Sequence, residues 1–140
     1  MKEIFYLIIF INCISFSIYA QTSKIKVTVL NLEKRKGNIS IGLFNKPVGF
    51  PKKDSGSIGI EIPIKDSFVE HTFLNLEYGK YALAIYNDEN KNGKLDRSIF
   101  GWPIEDYVFS NYAKGSFAPP SFEDASFQLR DSVLIELEFK

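Results

Sequence analysis

The residues most able to do chemistry in this sequence lie in one short stretch, Asp88-Glu89-Asn90-Lys91-Asn92-Gly93-Lys94-Leu95-Asp96. Asp88, Asn90 and Asn92 stand at alternate positions, Gly93 follows, and Asp96 comes three residues later. A hard divalent cation takes six to eight oxygens at about 2.3–2.6 Å. Alternate oxygen-bearing side chains converge on one point when the chain turns sharply, and a glycine permits that turn. The spacing therefore predicts a calcium ion as cofactor, with Lys94 contributing its backbone carbonyl. Only Asp88 and Asp96 bring charge, so the missing carboxylate is expected from Glu105 or Asp106, or water completes the shell. The same residues also suit an Asn/Gly-rich hairpin turn whose side chains hydrogen-bond their own backbone.

The stretch resembles the first nine positions of an EF-hand or dockerin-type calcium loop. It departs from that pattern at the twelfth position, where Ile99 stands in place of a bidentate Glu, and in its strand-like flanks. Other reactive groups are sparse. His71 is the only histidine and falls in an alternating run, without partners for acid–base work. Ser110 and Ser121 have no Ser/His/Asp context. The one remaining constellation is carboxylate: Asp88, Asp96, Glu105 and Asp106 could serve as a glycosidase pair. A small sandwich without a deep cleft disfavours that, because ligand sites are usually concave. The sequence thus predicts a non-enzymatic module, with a carbohydrate-binding module or small carbohydrate-active enzyme as the alternative.

The elements that must position the loop read as strands. Ile25, Val27 and Val29 alternate with Lys24, Lys26 and Thr28. After the charged turn Glu33-Lys34-Arg35-Lys36-Gly37, Ile39, Ile41 and Leu43 alternate again. Ile58, Ile60, Ile62 and Ile64 form a third run, in which Pro63 argues for a sheet edge or strand end. Phe68 to Leu74 is a weaker strand, and Tyr81 to Tyr86 is apolar on both faces, as a central strand would be. Ala125, Phe127 and Leu129 alternate, as do Val133, Ile135, Leu137 and Phe139. No long segment has the helical period. The expected fold is all-β: a single antiparallel β-sandwich of about seven strands, immunoglobulin- or transthyretin-like.

Two stretches interrupt this pattern. Asn45 to Gly59 reads as a loop rich in Gly and Pro. Asn87 to Glu123 is a long excursion whose aromatics, Phe100, Trp102, Tyr107, Phe109, Tyr112, Phe117 and Phe122, argue for order. Aromatics in such loops more often form local core than a ligand surface.

The N-terminus predicts export. Lys2 precedes the uncharged run Ile4 to Ile11, and Ile18-Tyr19-Ala20 offers a cleavage site before Gln21. Residues 1–20 are read as a signal peptide and 21–140 as one domain, placing the mature protein in the periplasm or outside the cell. Cys13 is the only cysteine and lies in the apolar run, so a mature chain would hold neither a disulfide nor a thiolate metal site. Formal net charge is +0 at pH 7, which gives no reason to expect a nucleic-acid partner. The expected partner is a protein or glycan at the cell envelope, with no membrane contact once the signal is removed.

An ordered set of segments carries a further resemblance: Tyr86 to Asp96, then Gly101-Trp102-Pro103-Ile104-Glu105, then Phe109-Ser110-Asn111, then Pro119 to Ala125. Preceded by Phe73 to Ala82, this set resembles the bacterial domain-of-unknown-function family 2141. The resemblance implies a small exported protein with a signal peptide and a β-sandwich-like body. It implies no activity and no catalytic residues. Asn87 departs from the family, which often has His at that place.

Overall fold

A computed structural model describes residues 22–52 and 57–139 of the chain. The expected signal peptide, with Cys13, lies outside the described residues, as do Asp54, Ser55 and Gly56 of the first loop.

The alternating runs form strands β1 (Thr22–Leu30), β2 (Asn38–Phe44), β3 (Ile58–Pro63), β4 (Val69–Glu77), β5 (Gly79–Asp88), β6 (Tyr107–Phe109), β7 (Phe127–Leu129) and β8 (Ser132–Glu138). One sheet has the order β4-β1-β8. The other runs β3-β2-β5-β6, and β7 pairs with the start of β5. The two sheets pack face to face as a β-sandwich. Period-two alternation explains why. Ile25, Val27 and Val29 of β1 are buried, and so are Ile39, Ile41 and Leu43 of β2 and Leu83 and Ile85 of β5. Together with Phe73 of β4 and Leu137 of β8 they form one continuous core. Each such side chain contributes roughly 1.5–3 kcal/mol by leaving water. β3, which contains Pro63, sits at a sheet edge, and β5 is central, as their sequences require.

The sandwich is mixed rather than purely antiparallel. β8 runs parallel to β1, with Lys24 opposite Ser132 and Leu30 opposite Glu138. β7 stays with the second sheet, and the short turn after Leu129 carries the chain across to the first sheet beside β1. Alternation shows which face of a strand is buried and is silent about the direction of its neighbour. A parallel pair needs a long crossover, and here nearly the whole domain separates the two strands. The strand beyond the expected seven, β6, is three residues long and too short to show a period. Ala125 also departs from expectation, since it ends a single helical turn, α1 (Phe122–Ala125), instead of opening a strand. Ser121 caps that turn by accepting the Asp124 N–H at 3.1 Å.

The long excursion folds over the outer face of the second sheet. Phe44, Ala82, Phe109, Phe122 and Ala125 make a second, smaller core there. The Phe50 ring joins it, with centroids 5.1 Å from Phe44, 5.8 Å from Phe109 and 5.9 Å from Phe122. Buried Ser110 ties the layers together: its hydroxyl accepts the Leu83 N–H at 2.8 Å and donates to the Ala125 carbonyl at 2.6 Å. The aromatics of the excursion therefore divide. Phe109 and Phe122 are local core, whereas Trp102 is 58% exposed and Phe117 90% exposed.

Candidate functional site

The loop springs from the end of β5, where Asn38 of β2 stands opposite Asp88. Its base is tightly built. The amide of fully buried Asn87 donates to the carbonyls of Lys36 at 2.8 Å and Asn38 at 3.3 Å. The Asn87 N–H donates to the Asp106 carbonyl at 2.9 Å. Asn87 is therefore part of the scaffold beneath the loop. Gly37, with φ +87, passes so close that a Cβ there would lie 2.1 Å from the Asp88 carbonyl oxygen. No side chain fits at that crossing.

Asp88 is fully buried. Its Oδ1 accepts the Asn92 N–H at 3.0 Å and its Oδ2 the Gly93 N–H at 2.8 Å. Asn90 Oδ1 accepts the Asn92 N–H at 3.1 Å, and Asn92 Oδ1 accepts the Lys94 N–H at 2.8 Å. These bonds between side chains and nearby backbone wind the loop, and Gly93, at φ +75, takes the left-handed conformation in it. Asp96 closes the ring. Its Oδ2 accepts from the Asn90 amide at 2.6 Å and its Oδ1 from the Asn92 amide at 2.8 Å.

The structure thus brings Asp88, Asn90, Asn92 and Asp96 into one bonded cluster. Lys94 joins it through its N–H, and the residue is exposed. Glu105 is held differently. It is 8% exposed, its Oε1 accepts the Glu89 N–H at 2.9 Å, and its Oε2 accepts the Asp96 N–H at 3.0 Å. Its carboxylate clamps the two ends of the loop. Asp106 turns away and pairs with Arg35. After Asp96 the chain makes a small hairpin, with Arg97 bridged to Pro103 and the Ser98 N–H donating to the Trp102 carbonyl at 2.7 Å. Ile99 lies at its tip, 94% exposed. The hairpin is what returns Glu105 to the loop. Among the described residues, no three His, Cys, Asp or Glu side chains gather as a metal-binding group. His71 packs edge-on against Phe73, 4.6 Å between ring centroids.

Beside the loop lies a cleft of about 370 Å³ that the sequence did not disclose. Gly93, Lys94 and Leu95 form one wall, Trp102 and Pro103 of the hairpin another, and Phe117 to Pro119 a third. Tyr86 and Tyr107 lie on its floor strands, β5 and β6. Its volume falls within the usual range for small-molecule sites, about 300–1,000 Å³. The cleft draws on segments far apart in the chain, so no local motif announces it. The only signal was the number of aromatics in the excursion.

Fold and loop together define a small bacterial-type β-sandwich domain with an Asp/Asn-rich loop at one sheet end. The chain belongs to the family described as "Uncharacterized protein conserved in bacteria (DUF2141)", whose model matches residues 27–135. That match runs from β1 into β8 and includes the loop and the hairpin. No curated protein and no solved structure matches the chain.

Proposed function

We propose that this protein is an exported, non-catalytic binding or structural module whose Asp88–Asp96 loop is stabilised by a calcium ion. One observation carries the metal reading: four oxygen-bearing side chains, Asp88, Asn90, Asn92 and Asp96, are already gathered into a single bonded ring. Asp88 and Asp96 supply the charge, the Asn oxygens and the Lys94 carbonyl supply neutral ligands, and water completes the shell. The ion would take the place of the two Asn amides that now donate to Asp96. Glu105 accepts the Glu89 and Asp96 N–H groups and so fixes the two ends of the loop. With two charged ligands the affinity should resemble that of extracellular calcium modules, about 10⁻⁴–10⁻³ M.

Calorimetric titration of residues 21–140 tests this. Calcium should bind in that range and magnesium more weakly, because magnesium demands a tighter octahedral shell. Asp96→Asn should weaken calcium binding about tenfold or more. Asp96 suits the test better than Asp88, whose carboxylate also supports two backbone N–H groups in the buried base. The absence of binding heat at millimolar calcium would reduce the loop to a turn.

The non-catalytic reading is supported by the cleft. Glycoside hydrolysis takes two carboxyl groups facing each other about 5–10 Å apart. No carboxylate is among the described residues that line the cleft. The export reading is supported by residues 1–20 of the sequence. Expressed in a bacterium with its own leader, the protein should leave the cytoplasm and begin at Gln21. Mass spectrometry finding Met1 intact in the membrane fraction would replace the cleaved signal with an anchor.

A further inference from the structure

We infer that the cleft beside the loop binds an acidic sugar residue of an oligosaccharide. The inference deepens the reading of this chain as a non-catalytic binding module, and it stands apart from the calcium.

The first argument is shape. Trp102 and Phe117 keep much of their ring surface in solvent at the cleft's edge, where burying it in the second core would have been favourable. The C–H face of a pyranose is apolar while its hydroxyls stay wet. It therefore stacks on an exposed aromatic ring and leaves its polar groups to the cleft's backbone and solvent.

The second argument is charge. Lys52, Lys94 and Arg97 line the cleft, and no carboxylate does so among the described residues. The whole chain has a formal net charge of +0, so this concentration of cations is local. No described residue forms an ion pair with Lys52, Lys94 or Arg97. Arg97 is also held in place. Its Nη1 donates to the Gly101 carbonyl at 2.9 Å within the hairpin. That bond uses one of five guanidinium donors and orients the rest, as bidentate recognition of a sugar carboxylate requires. A nucleic-acid strand also stacks on aromatics, but it needs a basic groove that follows its backbone over several nucleotides. Three cations around one compact cleft suit a single charged ring.

The loop gives the cleft its wall. Gly93, Lys94 and Leu95 border it from inside the Asp88–Asp96 ring, and Arg97 follows directly. Whatever fixes the loop fixes the backbone from which Lys94 and Arg97 extend.

Trp102 is the only tryptophan, so intrinsic fluorescence reports on this cleft. The test is a titration of residues 21–140 with trigalacturonate, hyaluronan tetrasaccharide, cellotriose and a ten-nucleotide oligothymidylate, in chelator and in calcium. At least one acidic sugar should shift Trp102 emission saturably, and its affinity should fall as salt is raised toward about 0.3 M. Cellotriose should bind about tenfold more weakly or worse, and so should an Arg97→Gln variant with either acidic sugar. An unchanged melting temperature of Arg97→Gln in the absence of ligand assigns that loss to contact with the sugar. No response to either acidic sugar, equal binding of cellotriose, tighter binding of the oligothymidylate, or full affinity in Arg97→Gln would each overturn the inference. Sugar binding in chelator by a protein that gives no calcium heat leaves this inference standing and removes the metal. Calcium binding without any sugar response does the reverse.

Discussion

Glu105→Ala should destabilise the protein by roughly 3–5 kcal/mol, the sum of two charge-assisted hydrogen bonds to backbone N–H groups. The residue is buried, and its two oxygens hold Glu89 and Asp96 at opposite ends of the loop. Removing the carboxylate leaves both N–H groups without their acceptor and detaches the returning hairpin from the end of β5. Glu105→Gln keeps the shape but offers one acceptor, so it should cost about half as much. Denaturant unfolding measures both, and hydrogen exchange at the Glu89 and Asp96 amides should accelerate in step. A cost for Glu105→Ala below about 1 kcal/mol would show that the clamp contributes little more than a surface contact. Sequence spacing alone suggested Glu105 as a ligand. Its bonds show it holding the Glu89 and Asp96 N–H groups at the two ends of the loop.

Phe122→Ala should cost about as much, roughly 3–5 kcal/mol, by emptying the second core. Phe122 is 5% exposed and meets the Phe50 ring edge-on with centroids 5.9 Å apart. Its neighbours Phe44 and Phe109 belong to two different strands, β2 and β6. Relaxation of any one of them to fill the space would disturb the other contacts. Phe122→Leu, which leaves a smaller void, should be distinctly milder. A loss below about 1 kcal/mol for the alanine variant would mean that the excursion is not anchored at this ring. The cleft would then lack the floor on which its walls stand.

Much of the sandwich was legible because period-two alternation is a direct record of burial. Ile25, Val27 and Val29, or Ile39, Ile41 and Leu43, face one core because every second side chain must. Pro63 marked an edge strand or a strand end, and both hold for β3, while the doubly apolar Tyr81 to Tyr86 marked a centre. The parallel pairing of β1 and β8 was not legible, because direction depends on where the chain crosses between sheets. Helix α1 was missed although Ser121 and Asp124 form a capping pair three residues apart. The alternation of Ala125 with Phe127 masked that signal. In the loop, the types and order of Asp88, Asn90, Asn92 and Asp96 were legible as a cluster, since neighbours in sequence are neighbours in space. Glu105 was legible as a residue and not as a role, because a hairpin of unread length decides how it returns. The cleft was the least legible feature. Lys94, Trp102 and Phe117 meet there only because both sheets and the second core are already in place.

The most direct measurement of the central claim is thermal unfolding of residues 21–140 in calcium and in chelator. A ligand that binds only the folded state stabilises it by RT ln(1 + [L]/Kd). At ~10 mM calcium and a Kd of ~10⁻⁴ M the gain is about 2.7 kcal/mol. For a domain of this size that should raise the melting temperature by roughly 10 °C. Asp96→Asn, binding calcium about tenfold more weakly, should lose about half of the rise, and magnesium should produce little of it. An identical melting temperature in calcium and in chelator would contradict the account, and the Asp88–Asp96 ring would then be a turn held by its own hydrogen bonds.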